Sequence, residues 1–182
     1  MLVILDRDGV INLYDGSYIC SPEAWLPLPG SLEAIGRLSV AGCRIAIATN
    51  QSGIGRGYYD TTTLEAMHDK LRSLLEPFGG RIDFIAHCPH HPDEHCHCRK
   101  PRTGLLSQIR QHFELASLAD SVMVGDSRKD LEAALAAGCR PCLVRTGNGR
   151  ETEEHLKERP LPAVRVFDDL AAFTDDFLGT RR

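Results

Sequence analysis

The chain has 182 residues, 42% of them hydrophobic and 25% charged, with a formal net charge of −4. That length builds one well-buried domain more readily than two, so a single domain over residues 1–182 is expected. An acidic balance argues against a surface that coats nucleic acid, where Lys and Arg must neutralise phosphates; a local basic pocket for a small anion stays open.

The start MLVILDRDGV lacks the basic opening and longer apolar stretch of a secretory signal. No apolar run approaches the ~20 residues of a membrane span. The seven cysteines are an odd count, three of them beside histidines, which suits a reducing compartment and a metal site better than a disulfide framework. A cytoplasmic protein that meets neither membrane nor nucleic acid is expected, and nothing requires more than a monomer.

Strand-like apolar runs alternate with helical spacing along the chain. Residues 2–5 predict a buried strand ending in acid, and 30–41 a helix through Leu32, Ile35 and Leu38 that Gly42 stops. A second strand is predicted over 43–48. The long amphipathic stretch 61–78 follows, with Thr61 to Thr63 as N-caps and Leu64, Met67, Leu71, Leu74 and Leu75 inward. A strand over 82–86 leads into the Cys/His segment. Beyond it come a helix over 103–114, a strand over 121–125, a helix over 129–137 closed by Gly138, and a strand over 141–144. The polar stretch 147–162 reads as a surface connection containing a short helix, before a weaker strand over 164–167 and a last helix over 170–178. Nearly all-apolar strands alternating with helices imply a parallel sheet covered on both faces.

Ligands bind at the carboxyl ends of such strands. There the chain carries Asp6-Arg7-Asp8-Gly9, then Thr49-Asn50-Gln51-Ser52-Gly53, then Arg99-Lys100-Pro101, then Gly125-Asp126-Ser127-Arg128-Lys129-Asp130. Acid, hydroxyl, cation and acid, in that order and each at a strand end, resemble the haloacid dehalogenase-like phosphatases over nearly the whole chain. The resemblance implies a Rossmann-like three-layer α/β fold and hydrolysis of a phosphate ester. Asp6 would attack phosphorus and Asp8 would move the proton. Thr49 would hydrogen-bond a phosphoryl oxygen and Lys100 would neutralise charge there. Chemistry supports these roles: a carboxylate nucleophile splits one difficult displacement into two, and anion attacking anion needs a hard cation such as Mg²⁺ on oxygen ligands. Asp6, Asp126 and the backbone carbonyl of Asp8 are the expected Mg²⁺ ligands. Taken singly the residues have plainer readings: a solvated loop for Asp6 and Asp8, an N-cap for Thr49, a surface lysine for Lys100. For Asp130, capping its helix and supporting the metal site stand as alternatives.

Residues 87–101 hold three of the seven cysteines and five of the eight histidines. Cys88, Cys96 and Cys98 with one histidine form a closed tetrahedral Zn²⁺ set. Spacing favours His90, because C-x-H mirrors C-x-C, while His87, His91, His95 and His97 remain alternatives. Four protein ligands leave no open position, so a structural Zn²⁺ is expected in a loop over 88–98, tethering Arg99 and Lys100.

That layout resembles one branch, the D-glycero-D-manno-heptose 1,7-bisphosphate 7-phosphatases, in three stretches: Leu5-Asp6-Arg7-Asp8-Gly9-Val10-Ile11-Asn12, Thr49-Asn50-Gln51-Ser52-Gly53-Ile54, and Cys88-Pro89-His90-His91-Pro92 leading to Cys96-x-Cys98-Arg99-Lys100-Pro101. The branch implies a small phosphorylated sugar as substrate, release of its C7 phosphate on the way to ADP-heptose and lipopolysaccharide, and substrate contacts from Asn50, Gln51, Ser52 and Arg99. Two departures are a short zinc loop and Ser127, where some relatives have a substrate-touching lysine. No long insertion follows the first or third strand, so no separate cap domain is expected. The rival readings are a histidinol-phosphate phosphatase, which shares the zinc loop, and a zinc-knuckle module for nucleic acid, disfavoured by the acidic balance and few aromatics. Cys139 and Cys142 read as core thiols, and Cys20 and Cys43 carry no signal.

Overall fold

The structure, a computed structural model, describes residues 1–180. Six strands, β1 (Leu2–Leu5), β2 (Arg44–Asn50), β3 (Phe84–Cys88), β4 (Val122–Gly125), β5 (Arg140–Val144) and β6 (Arg165–Phe167), form one sheet in the order β3-β2-β1-β4-β5-β6. Every pairing is parallel. Seven helices accompany them among the described residues: α1 (Ser31–Val40), α2 (Ser52–Gly55), α3 (Thr61–Leu75), α4 (Gly104–His112), α5 (Arg128–Ala136), α6 (Gly149–Glu158) and α7 (Leu170–Gly179). None is long and apolar enough to cross a membrane.

Strand side chains alternate between the two faces because the period of a strand is two. Val3, Leu5, Ile45, Ile47, Val122 and Val124 point into a core closed by Ile35 and Leu38 of α1, Leu64 and Leu71 of α3, and Phe173 of α7. Leu2, Ile4, Ala46, Ala48 and Met123 point the other way, against Leu105 and Ile109 of α4 and Ala133 and Ala134 of α5. The result is three layers, helix on sheet on helix. All four residues of β1 are buried, and each such side chain is worth about 1.5–3 kcal/mol, so the strand that ends in Asp6 is firmly anchored.

The chain goes from β1 outward through β2 to β3, then returns to place β4 on the other side of β1. This reversal opens a crevice beyond the carboxyl ends of β1 and β4. Leu5 is in register with Val124, so Asp6 and Asp126 leave adjacent strands side by side.

Several elements differ from the sequence expectation. β2 runs on through Thr49 and Asn50, and β3 begins at Phe84 and runs on to Cys88, so both hold their site residues on regular strand. The α3 cap is Asp60, whose side chain accepts from the Thr63 backbone N–H at 2.8 Å, not one of the threonines; a carboxylate one residue earlier serves the exposed N–H groups better. The helix ends at Leu75, and 76–78 tighten into a 3₁₀ turn around Pro77. The polar connection 147–162 is mostly the ten-residue α6.

No separate cap domain accompanies the sheet among the described residues, yet the whole of 6–30 is a long irregular connection from β1 to α1. Trp25 is fully buried in the core below it, and Lys70 of α3 donates to the carbonyls of Pro22 and Trp25 at 2.7 Å each. Pinned this way, the connection brings Tyr14, Tyr18 and Ile19 to the crevice wall.

Candidate active site

A cavity of about 270 Å³ lies at the reversal point, lined by Asp6, Asp8, Thr49, Lys100, Asp126 and Arg99, among others. The four strand-end segments singled out in the sequence all reach it.

Lys100 is the hub. It is 2% exposed, and its Nζ donates to Ala48 O at 2.7 Å and to Asp130 Oδ1 at 2.5 Å. A third contact runs to Asp6 Oδ1 at 3.0 Å. Burial works against the charge of this lysine, but Asp130 and Asp6 outweigh it and hold the pKa above the ordinary lysine value. Its main chain is fixed as well: Asn50 Nδ2 donates to Lys100 O at 3.1 Å and Lys100 N donates to Asn50 Oδ1 at 3.0 Å.

Around Lys100 the carboxylates crowd. Oxygens of Asp6, Asp126 and Asp130 lie within 4.8 Å of one another. Burial first, then Asp130, lifts the Asp6 pKa well above its ordinary value despite Lys100. Asp126 is pushed up to about 7 by burial and by Asp130, against the pull of the Asn148 backbone N–H. One lysine does not balance three buried acids, so the oxygen cluster fits a further hard cation. Asp130 is the most heavily committed of the three: Oδ1 takes Lys100, while Oδ2 takes Ser127 N at 3.0 Å and Ser127 Oγ at 2.7 Å. It closes the capping box of α5, so the two sequence alternatives for this residue merge. The cap holds the carboxylate that holds Lys100. Asp6 and Asp126 are left to face a cation.

Asp126 is braced by residues to which the sequence motifs assign no role. Asn148 donates to Asp126 Oδ2 from its backbone N at 2.8 Å and from Nδ2 at 3.1 Å. A Cβ on Gly9 or on Gly147 would fall 2.2 or 2.3 Å from that same oxygen; both glycines also have positive φ, so each is required twice over. Thr146 Oγ1 donates to Gly9 O at 2.6 Å and joins the two loops.

Asp8 is 20% exposed and accepts from Arg7 Nε at 3.0 Å, Asn12 Nδ2 at 3.0 Å and Gln51 Nε2 at 2.9 Å. Arg7, the unassigned middle residue of D-x-D, is 1% exposed and also donates from Nη2 to Gln51 Oε1 at 3.1 Å. Gln51 Nε2 reaches Thr49 Oγ1 at 2.8 Å, which leaves the threonine proton free to point into the cavity, and Tyr59 donates to Gln51 Oε1 at 2.5 Å. Asn50 and Gln51 therefore line the cavity with their amides already committed, one to Lys100 and one to Asp8. Ser52 lies 3.4 Å from the Tyr18 hydroxyl. Arg99 lines the wall with one buried guanidinium nitrogen, Nη1, that has no partner among the described residues. Lys129, which the strand-end segment carries with no role assigned, lines the same cavity.

In the neighbouring loop, Cys88, His90, Cys96 and Cys98 bring their ligand atoms within 4.8 Å of one another. The separations are 3.5 Å for Cys88 Sγ to Cys96 Sγ, 3.5 Å for Cys96 Sγ to Cys98 Sγ, 3.6 Å for Cys88 Sγ to His90 Nδ1, and 3.2 Å for His90 Nδ1 to Cys98 Sγ. With metal–sulfur bonds of ~2.3 Å and metal–nitrogen bonds of ~2.0 Å, the edges of a zinc tetrahedron are roughly 3.5–3.8 Å, so the donor set fits that ion. His91 takes another post, accepting the Asp93 N–H at 3.2 Å to cap the turn over 92–94. The loop is fastened to the second motif: Gln51 N donates to Cys88 O at 2.7 Å and Gly55 N to Pro89 O at 2.8 Å. A Cβ on Gly55 would lie 2.5 Å from His91 N, and that contact requires glycine in α2.

A family model described as HAD-hydrolase-like matches residues 97–173. D-glycero-beta-D-manno-heptose-1,7-bisphosphate 7-phosphatases of Pseudomonas putida and Pseudomonas aeruginosa are each 52% identical over 178 residues, covering 97% of this chain and 99% and 97% of theirs. The crystal structure of D,D-heptose 1,7-bisphosphate phosphatase from Bordetella bronchiseptica, complexed with magnesium and phosphate, is 48% identical and superposes with a TM-score of 0.93 over 98% of both chains. With likeness of this extent in sequence and in fold, the chain belongs to the heptose-1,7-bisphosphate 7-phosphatase family of HAD-like hydrolases.

Proposed function

We propose that the protein removes the C7 phosphate of D-glycero-beta-D-manno-heptose 1,7-bisphosphate through a phosphoaspartate on Asp6, as a cytoplasmic step toward ADP-heptose. The observation that carries the chemistry is the buried knot of Asp6, Asp126 and Asp130 around Lys100. The substrate rests on the names and near-complete coverage of the relatives.

Asp6, Asp126 and the Asp8 carbonyl would hold Mg²⁺, which supplies charge neutralisation between the attacking carboxylate and the phosphoryl oxygens. Asp6 forms its bond to phosphorus as the bond to the sugar oxygen breaks. Asp8 gives its proton to that departing oxygen, then takes one from the water that cleaves the phosphoaspartate. Lys100 exchanges its Asp6 contact for a phosphoryl oxygen, and Thr49 donates its free hydroxyl proton to another. Asn50 and Gln51 serve by holding Lys100 and Asp8 in place. Arg99 and Lys129, on the cavity wall, suit the second phosphate, and Ser52 with the Tyr14–Ile19 stretch borders the sugar. Cys88, His90, Cys96 and Cys98 would hold a structural Zn²⁺, with thiolates that a reducing compartment preserves. Every residue in this account lies in one chain, so a monomer suffices.

Kinetics on both anomers of the heptose bisphosphate and on histidinol phosphate, with and without Mg²⁺, test the reading. The beta anomer should be preferred over the other two. Faster turnover of histidinol phosphate would overturn the substrate, and beryllium fluoride bound anywhere but Asp6 would overturn the mechanism.

A further inference from the structure

Arg7 Nη1 and His68 Nε2 are buried polar atoms with no hydrogen-bond partner among the described residues, as is Asn12 Oδ1, whose own amide nitrogen is already turned to Asp8. His68 lies on the inner face of α3, fully buried. Its Nδ1 is 3.2 Å from Glu65 Oε1. A carboxylate only accepts, so Nδ1 carries the ring proton and Nε2 presents a lone pair. The ring stays neutral, since burial and then the Arg7 charge push its pKa down to about 3. A guanidinium nitrogen only donates. The two unmatched atoms are therefore complementary, and each is costly to leave alone in a buried place. The remaining edges of the same guanidinium are committed forward, to Asp8 and Gln51.

We propose that His68 is a positioning residue for proton transfer: its Nε2 accepts from Arg7 Nη1 across one bridging water, and so fixes the guanidinium that aims Asp8. A guanidinium is planar, so holding its rear edge sets the direction of the front edge. Without the acceptor the plane turns, and the Asp8 carboxyl loses its bearing on the leaving oxygen. The inference rests on the proposed acid role of Asp8. The loss falls on the step in which the Asp8 proton passes to the departing oxygen as phosphorus bonds to Asp6, and spares substrates whose leaving group needs no proton.

The test compares kcat/KM for benzyl phosphate and 4-nitrophenyl phosphate in the magnesium-loaded enzyme. Benzyl alkoxide needs a proton as it leaves; nitrophenolate does not. The ratio of the two, taken in one sample, is independent of how much enzyme is folded. His68→Leu should lower that ratio about tenfold, a fraction of what full acid catalysis supplies. His68→Gln, whose amide oxygen accepts in place of Nε2, should keep it within about twofold of the wild type. An unchanged ratio in His68→Leu, or an equal fall in His68→Gln, overturns the inference when Asp8→Asn collapses the ratio. Should Asp8→Asn leave the ratio intact, the acid role itself has failed and the inference goes with it. Imidazole ¹⁵N spectra of the wild type give a reading free of any variant: His68 should show its proton on Nδ1 and a hydrogen-bonded Nε2, and a proton on Nε2 would overturn the pairing.

Discussion

The carboxylate cluster and the Cys/His loop can each hold a cation, and they are assembled in opposite ways. Asp6 and Asp126 come from the ends of two neighbouring strands that lie far apart in sequence. Cys88, His90, Cys96 and Cys98 come from one short stretch of chain. The oxygen cluster is rigid because the sheet is rigid, and with no cation bound its acids can take up protons instead, as the raised Asp126 pKa of about 7 allows. Beyond Cys88, which ends β3, the sulfur loop contains only a brief 3₁₀ turn as regular structure, so its shape depends on what binds its thiols. Loss of the metal should therefore impair the reaction at the first site and the fold of the loop at the second.

The largest effect is expected at Asp6. Asp6→Asn should lower phosphate release by at least about 10³-fold, as removal of a covalent nucleophile does, while the melting temperature holds or rises because one buried like charge is gone. A variant that keeps a tenth of the activity would remove Asp6 from the chemistry.

Cys98→Ser should act through the fold. With a quarter of the ligand set removed, zinc content measured by mass spectrometry should fall and stability should drop by roughly 2 kcal/mol or more. Activity should decline because Arg99 and Lys100 follow directly on Cys98. Full zinc occupancy with an unchanged melting curve would contradict this division of labour. Chelators sharpen it: a brief EDTA treatment should abolish turnover, with recovery on adding Mg²⁺, and should leave the melting curve nearly where it was.

The strands, the sheet class and the Cys/His loop were readable from the sequence because each leaves a local mark, and the acids because each closes an apolar run. Buried parallel strands are short apolar runs, and thiols with histidines at two-residue spacing have few other uses. What escaped was whatever depends on two distant segments meeting. Arg7 looks like the spacer of D-x-D, and nothing in its neighbours announces that Gln51 meets it in the core. Asn148 sits in a polar stretch that reads as a connection, yet it fixes Asp126. For Asn50 and Gln51 the family resemblance implies substrate contacts; only the fold shows their amides turned to Lys100 and Asp8. The connection 6–30 has no helical or strand period, so neither its place on the crevice wall nor the Trp25 anchor could be inferred.

The smallest effect concerns His68 and the stability of the chain. Burial and the Arg7 charge keep its folded pKa near 3, against ~6.5 for a histidine in the unfolded chain. Between those values the unfolded chain binds one proton that the folded chain refuses. The contribution of this residue is thus fully retained above about pH 6.5 and declines as pH falls, by ~1.4 kcal/mol per unit. By pH 5 the cost is about 2 kcal/mol. His68→Gln has no proton to take up, so urea unfolding at pH 7.5 and pH 5 should show a smaller loss in the variant than in the wild type. Equal losses in the two proteins would mean that His68 titrates in the folded state much as it does in the open chain, and the buried link from α3 to Arg7 would lose its footing.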